Sequence, residues 1–199
     1  MSLAPDDVFK RLRLGDKVDD LLTDPSFFAL NRYLVDYNVH IPKSKSSLTM
    51  AEVLRRGYGD EAVARLLQQT AANAKDADTR QMAVRLQDQQ FTIWKKLGFK
   101  NDDVFKRLGL DKDGVTLANP NFVAWGKFVK SWSGEKTTPF DSLWARYGEK
   151  GQAKMLVAPR EKVGGNDVYT FLQNQLVKKW LTMIRGPDDV AAMDTFGVK

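Results

Sequence analysis

The sequence predicts an all-α protein built as two tandem helical bundles joined end to end in a stiff rod. Three observations carry this expectation. The seven residues Asp6 to Leu12 (DDVFKRL) recur letter for letter at Asp102 to Leu108, and the start of the phrase returns as Pro187-Asp188-Asp189-Val190. Such self-similarity marks stacked structural units that cover one another's apolar faces. Apolar residues recur at steps of three and four through most of the chain, the spacing that lines one face of a helix. No segment joins strict period-two alternation to hairpin signals, so a sheet is not expected.

Taken in order, Pro5-Asp6-Asp7 opens a short helix whose acids favour the positive end of the helix dipole, and Val104, Phe105 and Leu108 form the buried side of its second copy. Asp24-Pro25 reads as an N-cap followed by proline in the first turn, and Asn119-Pro120 repeats it. The helices that follow carry one apolar stripe each: Phe27, Leu30, Tyr33, Leu34 and Tyr37 in the first copy, Phe122, Trp125, Phe128, Val129 and Trp132 in the second. Extra residues in the first copy fall near Asn38 to Ser47 and Thr70 to Asp78, polar stretches that suit surface insertions. Tyr58-Gly59 then aligns with Tyr147-Gly148, Leu86-Gln87-Asp88-Gln89 with Leu172-Gln173-Asn174-Gln175, and Trp94 with Trp180. The longest helices are Thr79 to Leu97, with Met82, Leu86, Ile93, Trp94 and Leu97 on one face, and Asn166 to Arg185, with Leu172, Leu176, Trp180 and Ile184. Gly98 and Gly186 stop them.

The short link after Gly98 restricts how the copies can be oriented, and Phe99, Val104 or Phe105 is expected to dock on the end of the preceding bundle. The organisation is therefore residues 1–98, residues 99–186, and a closing segment 187–199 containing Met193 and Phe196. That segment is a cap or the start of a further unit.

Composition bounds the chemistry. A chain of 199 residues with 43% hydrophobic content can bury a substantial core, and the absence of cysteine removes disulfides and thiolates from consideration. No apolar run reaches the length of a signal peptide or a membrane span. The net charge of +6 is moderate, and the pairs Arg55-Arg56, Lys95-Lys96 and Lys178-Lys179 are interleaved with acids, as on solvated helix faces. His40, the single histidine, is expected in a polar loop with no nucleophile motif nearby, so a catalytic triad is not expected. The acid pairs Asp6-Asp7 and Asp102-Asp103 are read as helix-start residues in preference to general acids or metal ligands. Zinc and calcium-loop spacings are absent, and Gly164-Gly165 lacks the lysine of a phosphate loop, which makes it a connector. No catalytic, metal or cofactor residue is assigned. Trp125, Phe128, Trp132 and Trp144 have the periodicity of core residues, not of a base-stacking platform. Trp94 to Leu97 and Phe140 to Leu143 look like short linear motifs only if extended and accessible, which bundle packing opposes.

The order of Trp94, DDVFKRLGLD, Asn119-Pro120-x-Phe122, an aromatic-rich helix, Tyr147-Gly148 and a leucine–glutamine helix ending on Trp180 resembles the W, Y and L motifs of oomycete RXLR effectors with tandem WY or LWY units. The resemblance covers nearly the whole chain. It implies LWY-type bundles in which Trp94 and Tyr147, with Tyr58 and Trp180 as their repeat equivalents and Phe105, Phe122 and Trp125 beside them, are structural signature residues. It further implies secretion by a Phytophthora-type pathogen and action in the cytoplasm or nucleus of a host plant cell. The chain departs from the pattern near its start, where Arg11-Leu12-Arg13-Leu14 lacks the final arginine of the translocation motif, as in an effector's C-terminal region or a piece of a longer array.

The expected role is a non-enzymatic protein-binding module, and the sharper expectation taken from the family is recruitment of the phosphatase 2A scaffold subunit to suppress immunity or RNA silencing. Arg32, Arg55 and Arg56 are the candidate partner contacts, chosen for charge and expected exposure. The alternative is a nucleic-acid-binding silencing suppressor, which a steep salt dependence would reveal.

Overall fold

The computed structural model describes residues 3–14, 20–41, 47–112, 117, 119–131, 138–156 and 167–182. Among them every regular element is helical, in agreement with the all-α expectation. The chain divides into two compact units, Met1–Gly109 and Leu110–Lys199.

In the first unit, α1 (Pro5–Arg11) packs against α2 (Pro25–His40) and α3 (Met50–Tyr58), while α4 (Asp60–Asn73) and α5 (Ala77–Lys96) form an antiparallel pair over α3. The short α6 (Asn101–Arg107) follows α5 after a turn. Local sequence sets these boundaries. Asp24 caps α2 by accepting from the Ser26 N–H at 2.7 Å, with Pro25 in the first turn. Thr49 and Glu52 make a reciprocal capping box at α3, and Asp76 accepts from the Thr79 N–H (2.7 Å) and hydroxyl (2.8 Å) at α5. Those bonds, the backbone one foremost, hold the Asp76 carboxyl below its ordinary pKa of 3.8. Gly98, at φ +73°, ends α5 as its position suggested. The core gathers Phe9, Leu22, Phe27, Leu30, Leu34, Leu54, Leu67 and Leu86.

In the second unit, α7 (Pro120–Ser131), α8 (Pro139–Leu156) and α9 (Asp167–Thr182) pack on one another around Phe122, Trp125, Phe128, Leu143, Leu172, Leu176 and Trp180. Asn119 repeats the cap of Asp24 by accepting from the Asn121 N–H at 2.9 Å. Thr138 and Asp141 repeat the box of Thr49 and Glu52.

Several expectations need correction. Leu97 does not join the apolar face of α5: it is the residue after the last turn and is half-exposed, while Phe91 is buried instead. His40 lies in the last turn of α2, its Nδ1 2.7 Å from the Asp36 carbonyl, and not in a loop. Tyr33 and Tyr37 sit at the edge of the α2 stripe, half-buried, with their rings 6.3 Å apart. Capping explains only part of the acid pairs. Asp103 accepts from the Lys100 N–H at 3.0 Å, but Asp102 pairs with Lys106 at 2.9 Å and Asp6 with Arg56 at 3.2 Å. Arg11-Leu12-Arg13-Leu14 straddles the end of α1. Trp132, Gly164-Gly165, Ile184, Gly186, the third phrase at Asp188, Met193 and Phe196 lie outside the described residues.

Candidate functional site

A framework repeated in both units is built on the tyrosine–glycine pairs. Gly59 has φ +83° and ψ 164°, a conformation open to glycine, and it separates α3 from α4. Gly148, at φ +61° and ψ −173°, makes the same break inside α8. The preceding tyrosines each reach across to the chain after the repeated phrase. The Tyr58 hydroxyl donates to the Leu14 carbonyl, and the Tyr147 hydroxyl donates to the equivalent Leu110 carbonyl at 3.3 Å. Burial raises the pKa of Tyr147 above 10.0, against a smaller opposing effect of Arg146.

The acid after each glycine receives a tryptophan. Trp94 Nε1–H donates to Asp60 Oδ1 at 2.8 Å, and Trp180 Nε1–H donates to Glu149 Oε1 at 2.8 Å. Asp60 is the more enclosed acid, with its side chain 6% exposed; Arg55 approaches to 3.8 Å and Arg107 to 3.6 Å. Gln90 Nε2 donates to the Asp60 carbonyl at 3.2 Å. A buried carboxylate needs charge partners and hydrogen-bond donors together, and Asp60 has both. Arg107 also lies 4.0 Å above the centre of the Phe99 ring. The pair with Asp60 ties α6 to α4, and the ring contact ties it to the link that follows α5.

The signature aromatics named from the sequence are buried to differing degrees. Trp94, Phe105, Phe122 and Trp125 are fully or almost fully buried, Trp180 is buried, and Tyr58 and Tyr147 are half-buried. Tyr58 meets Phe9 edge-on at 5.1 Å, and Phe122 meets Trp125 edge-on at 6.4 Å. Trp144 is half-buried beside Phe140. Asp60 and Glu149 escaped the sequence reading, although an acid directly after tyrosine–glycine in both copies was the available signal.

The three candidate arginines do not form one patch. Arg55 is corrected: its guanidinium turns toward Asp60 and its side chain is only 24% exposed, so it belongs to the framework. Arg56 is exposed and pairs with Asp6 across the α1–α3 contact. Arg32 is exposed on α2, on the face that also presents Phe28 (48% exposed), Val35 (57%) and Val39 (74%). Positions 28, 32, 35 and 39 follow helical spacing, so one side of α2 carries an exposed apolar stripe interrupted by a cation. The core stripe of α2 hid this second one, since both faces of the helix are apolar.

Among the described residues no group of three or more His, Asp or Glu is placed to hold a metal ion. No helix among them is long and apolar enough to cross a membrane. Two open grooves among the described residues of the first unit, of about 550 and 510 Å³, are lined by no histidine.

No family model matches the chain. It is 30% identical over 191 residues to the RxLR effector protein PSR2 of Phytophthora sojae, covering 94% of this chain and 28% of that protein. An RxLR effector protein of Phytophthora infestans is 32% identical over 198 residues, 97% of this chain and 37% of its own length. The crystal structure of PcRxLR12 has the same fold, with a TM-score of 0.69 at 23% identity over 99% of this chain and 47% of that one. The chain therefore spans less than half the length of each of these proteins.

Proposed function

We propose, from the premise that its homologues over nearly its whole length are Phytophthora RxLR effectors, that this protein is a secreted virulence effector acting inside host plant cells by binding a host protein. It works without catalysis. The observation that supports binding through its surface is the division of labour among its side chains. Trp94, Trp180, Tyr58, Tyr147 and the acids Asp60 and Glu149 are consumed by the repeated framework, whereas Phe28, Arg32, Val35 and Val39 stand outward on α2. Exposed apolar side chains around an arginine are the composition of a protein interface.

The sharper reading is recruitment of the phosphatase 2A scaffold subunit through this face, supported by the resemblance of the repeated motifs to WY and LWY units. Affinity purification from plant extract with mass spectrometry tests it, using the parent and an Arg32→Glu/Val35→Asp variant. Recovery of the scaffold subunit by the parent and its loss with the variant supports the reading; recovery by neither removes the phosphatase, and equal recovery by both removes the α2 face. The second reading, nucleic-acid binding, has the net charge of +6 in its favour. Phosphate-driven association falls steeply with added salt, and the apolar character of the α2 face argues against it.

A further inference from the structure

The end of α1 and the end of α6 are the same structure written with one different residue. In both copies the chain leaves the helix through leucine and turns through a residue with positive φ, whose N–H donates to the lysine carbonyl three residues back: Arg13 to Lys10 at 3.0 Å, Gly109 to Lys106 at 2.9 Å. Gly109, at φ +66°, is the residue such a turn favours. The first copy places Arg13 there at φ +53°, the one positive-φ residue other than glycine among those described. An L side chain in this region is disfavoured by contact between Cβ and backbone, and strain of this kind gathers at functional sites.

The Arg13 side chain is exposed at the rim of a groove of about 510 Å³ between α1 and α3. Phe9 and Val53 form the floor. Gly57 lets the Phe9 ring approach, since a Cβ at that position would lie 2.4 Å from Phe9 Cζ. Around the floor stand Lys10, Arg13 and Arg56, three cations against the single acid Asp6, which is already paired with Arg56.

The repeat shows which of these residues packing requires. The second copy keeps Asp102, Phe105 and Lys106 in register with Asp6, Phe9 and Lys10, but has Gly109, Ser142 and Ala145 where the first has Arg13, Val53 and Arg56. The helix end is common to both copies; the additional cations and the apolar floor residue belong to the first alone. A residue that the turn disfavours and that the repeat does without is there for its side chain.

We infer that the α1–α3 groove of the first unit is a docking site for an acidic segment of a partner protein, with carboxylates held by Arg13, Lys10 and Arg56 and an apolar side chain set on Phe9 and Val53. Charge complementarity selects the ligand class. A nucleic acid would leave the apolar floor unused and meet Asp6 with its phosphates, and a groove of this size is too open to enclose a lone anion. The inference rests on the protein-binding reading above and gives it a second contact surface with its own chemistry.

The turn supplies a clean test, because Arg13→Gly removes the charge and relieves the backbone together. Fluorescence anisotropy on the full chain would measure binding of a labelled peptide alternating glutamate and leucine, beside its glutamine–leucine counterpart and single-stranded RNA. The glutamate peptide is expected to bind the parent best. Arg13→Gly is expected to weaken it about tenfold, as for loss of one charge-assisted hydrogen bond, with a melting temperature equal to or above the parent's. Arg85→Gln, exposed on α5, should leave peptide binding unchanged. Unaltered binding by Arg13→Gly, equal binding of the glutamine peptide, preferred binding of RNA, or no peptide binding by the parent would each overturn the inference. None of these results bears on scaffold capture through α2, so the groove can fail while that reading stands.

Discussion

Replacing Trp94 with phenylalanine should destabilise the protein more than the same change at Trp180, and the difference follows from the acids they serve. Both indoles donate at 2.8 Å, but Asp60 is buried with its side chain 6% exposed, whereas Glu149 is half-exposed. Without the Trp94 donor, Asp60 Oδ1 is left where solvent has little access. A hydrogen bond to a charged group contributes about 1.5–3 kcal/mol when its loss leaves a buried partner unsatisfied, and the space vacated by the smaller ring adds about 1 kcal/mol. The expected cost of Trp94→Phe is therefore about 3 kcal/mol. At Trp180 solvent can take over at Glu149, and the cost should stay at about 1–2 kcal/mol. Amide hydrogen exchange resolved by helix is the suitable assay, since two compact units need not unfold as one. Trp94→Phe should speed exchange in α4 and α5, and Trp180→Phe in α9. A Trp94→Phe/Asp60→Asn double variant should cost less than the sum of its parts, because both changes remove one interaction. Equal costs at the two tryptophans, or strict additivity with Asp60→Asn, would refute the assignment of Asp60 as the acceptor that makes Trp94 matter.

Two further outcomes are expected. Gly109→Ala combines a positive φ of +66° with a Cβ that would lie 2.8 Å from Glu61 Oε2, so it should cost about 1–2 kcal/mol, read by urea titration. Asp76→Ala should fray the start of α5, and the loss should depend on pH. The folded-state pKa is depressed by the Thr79 N–H and hydroxyl, so the carboxylate's contribution is fully present above its ordinary value of 3.8 and is lost as pH falls below that value through the depressed one. Parent and variant should converge in acid; a gap that persists there would refute the charged cap.

Much of this arrangement was legible because local chemistry wrote it twice. Asp24-Pro25 and Asn119-Pro120 announced two helix starts, Gly98 announced a stop, and the stripes from Phe27 and from Phe122 named the faces that pack. The break at Gly148 was harder to see, since the apolar rhythm runs through it and only the backbone dihedral separates the two halves of α8. Asp60 was invisible as a centre because its tryptophan lies 34 residues away and its second arginine on another helix. Read alone, it is one more acid in a first turn. Arg55 misled for the same reason: adjacency to Arg56 suggested a shared solvent face, but one helical step of about 100° per residue turns neighbours to different sides. The significance of Arg13 needs both the register with Gly109 and the angle.

The ion pair between Arg107 and Asp60 has a practical meaning for anyone dissecting the gene. By the phase of the repeated phrase, a cut after Gly98 would release one complete period; by the contacts, it would strip α6 from its seat and leave Val104 and Phe105 without cover. Fragments intended to stand alone are better ended after Gly109, so the portable module is offset by one short helix from the period of the text that encodes it.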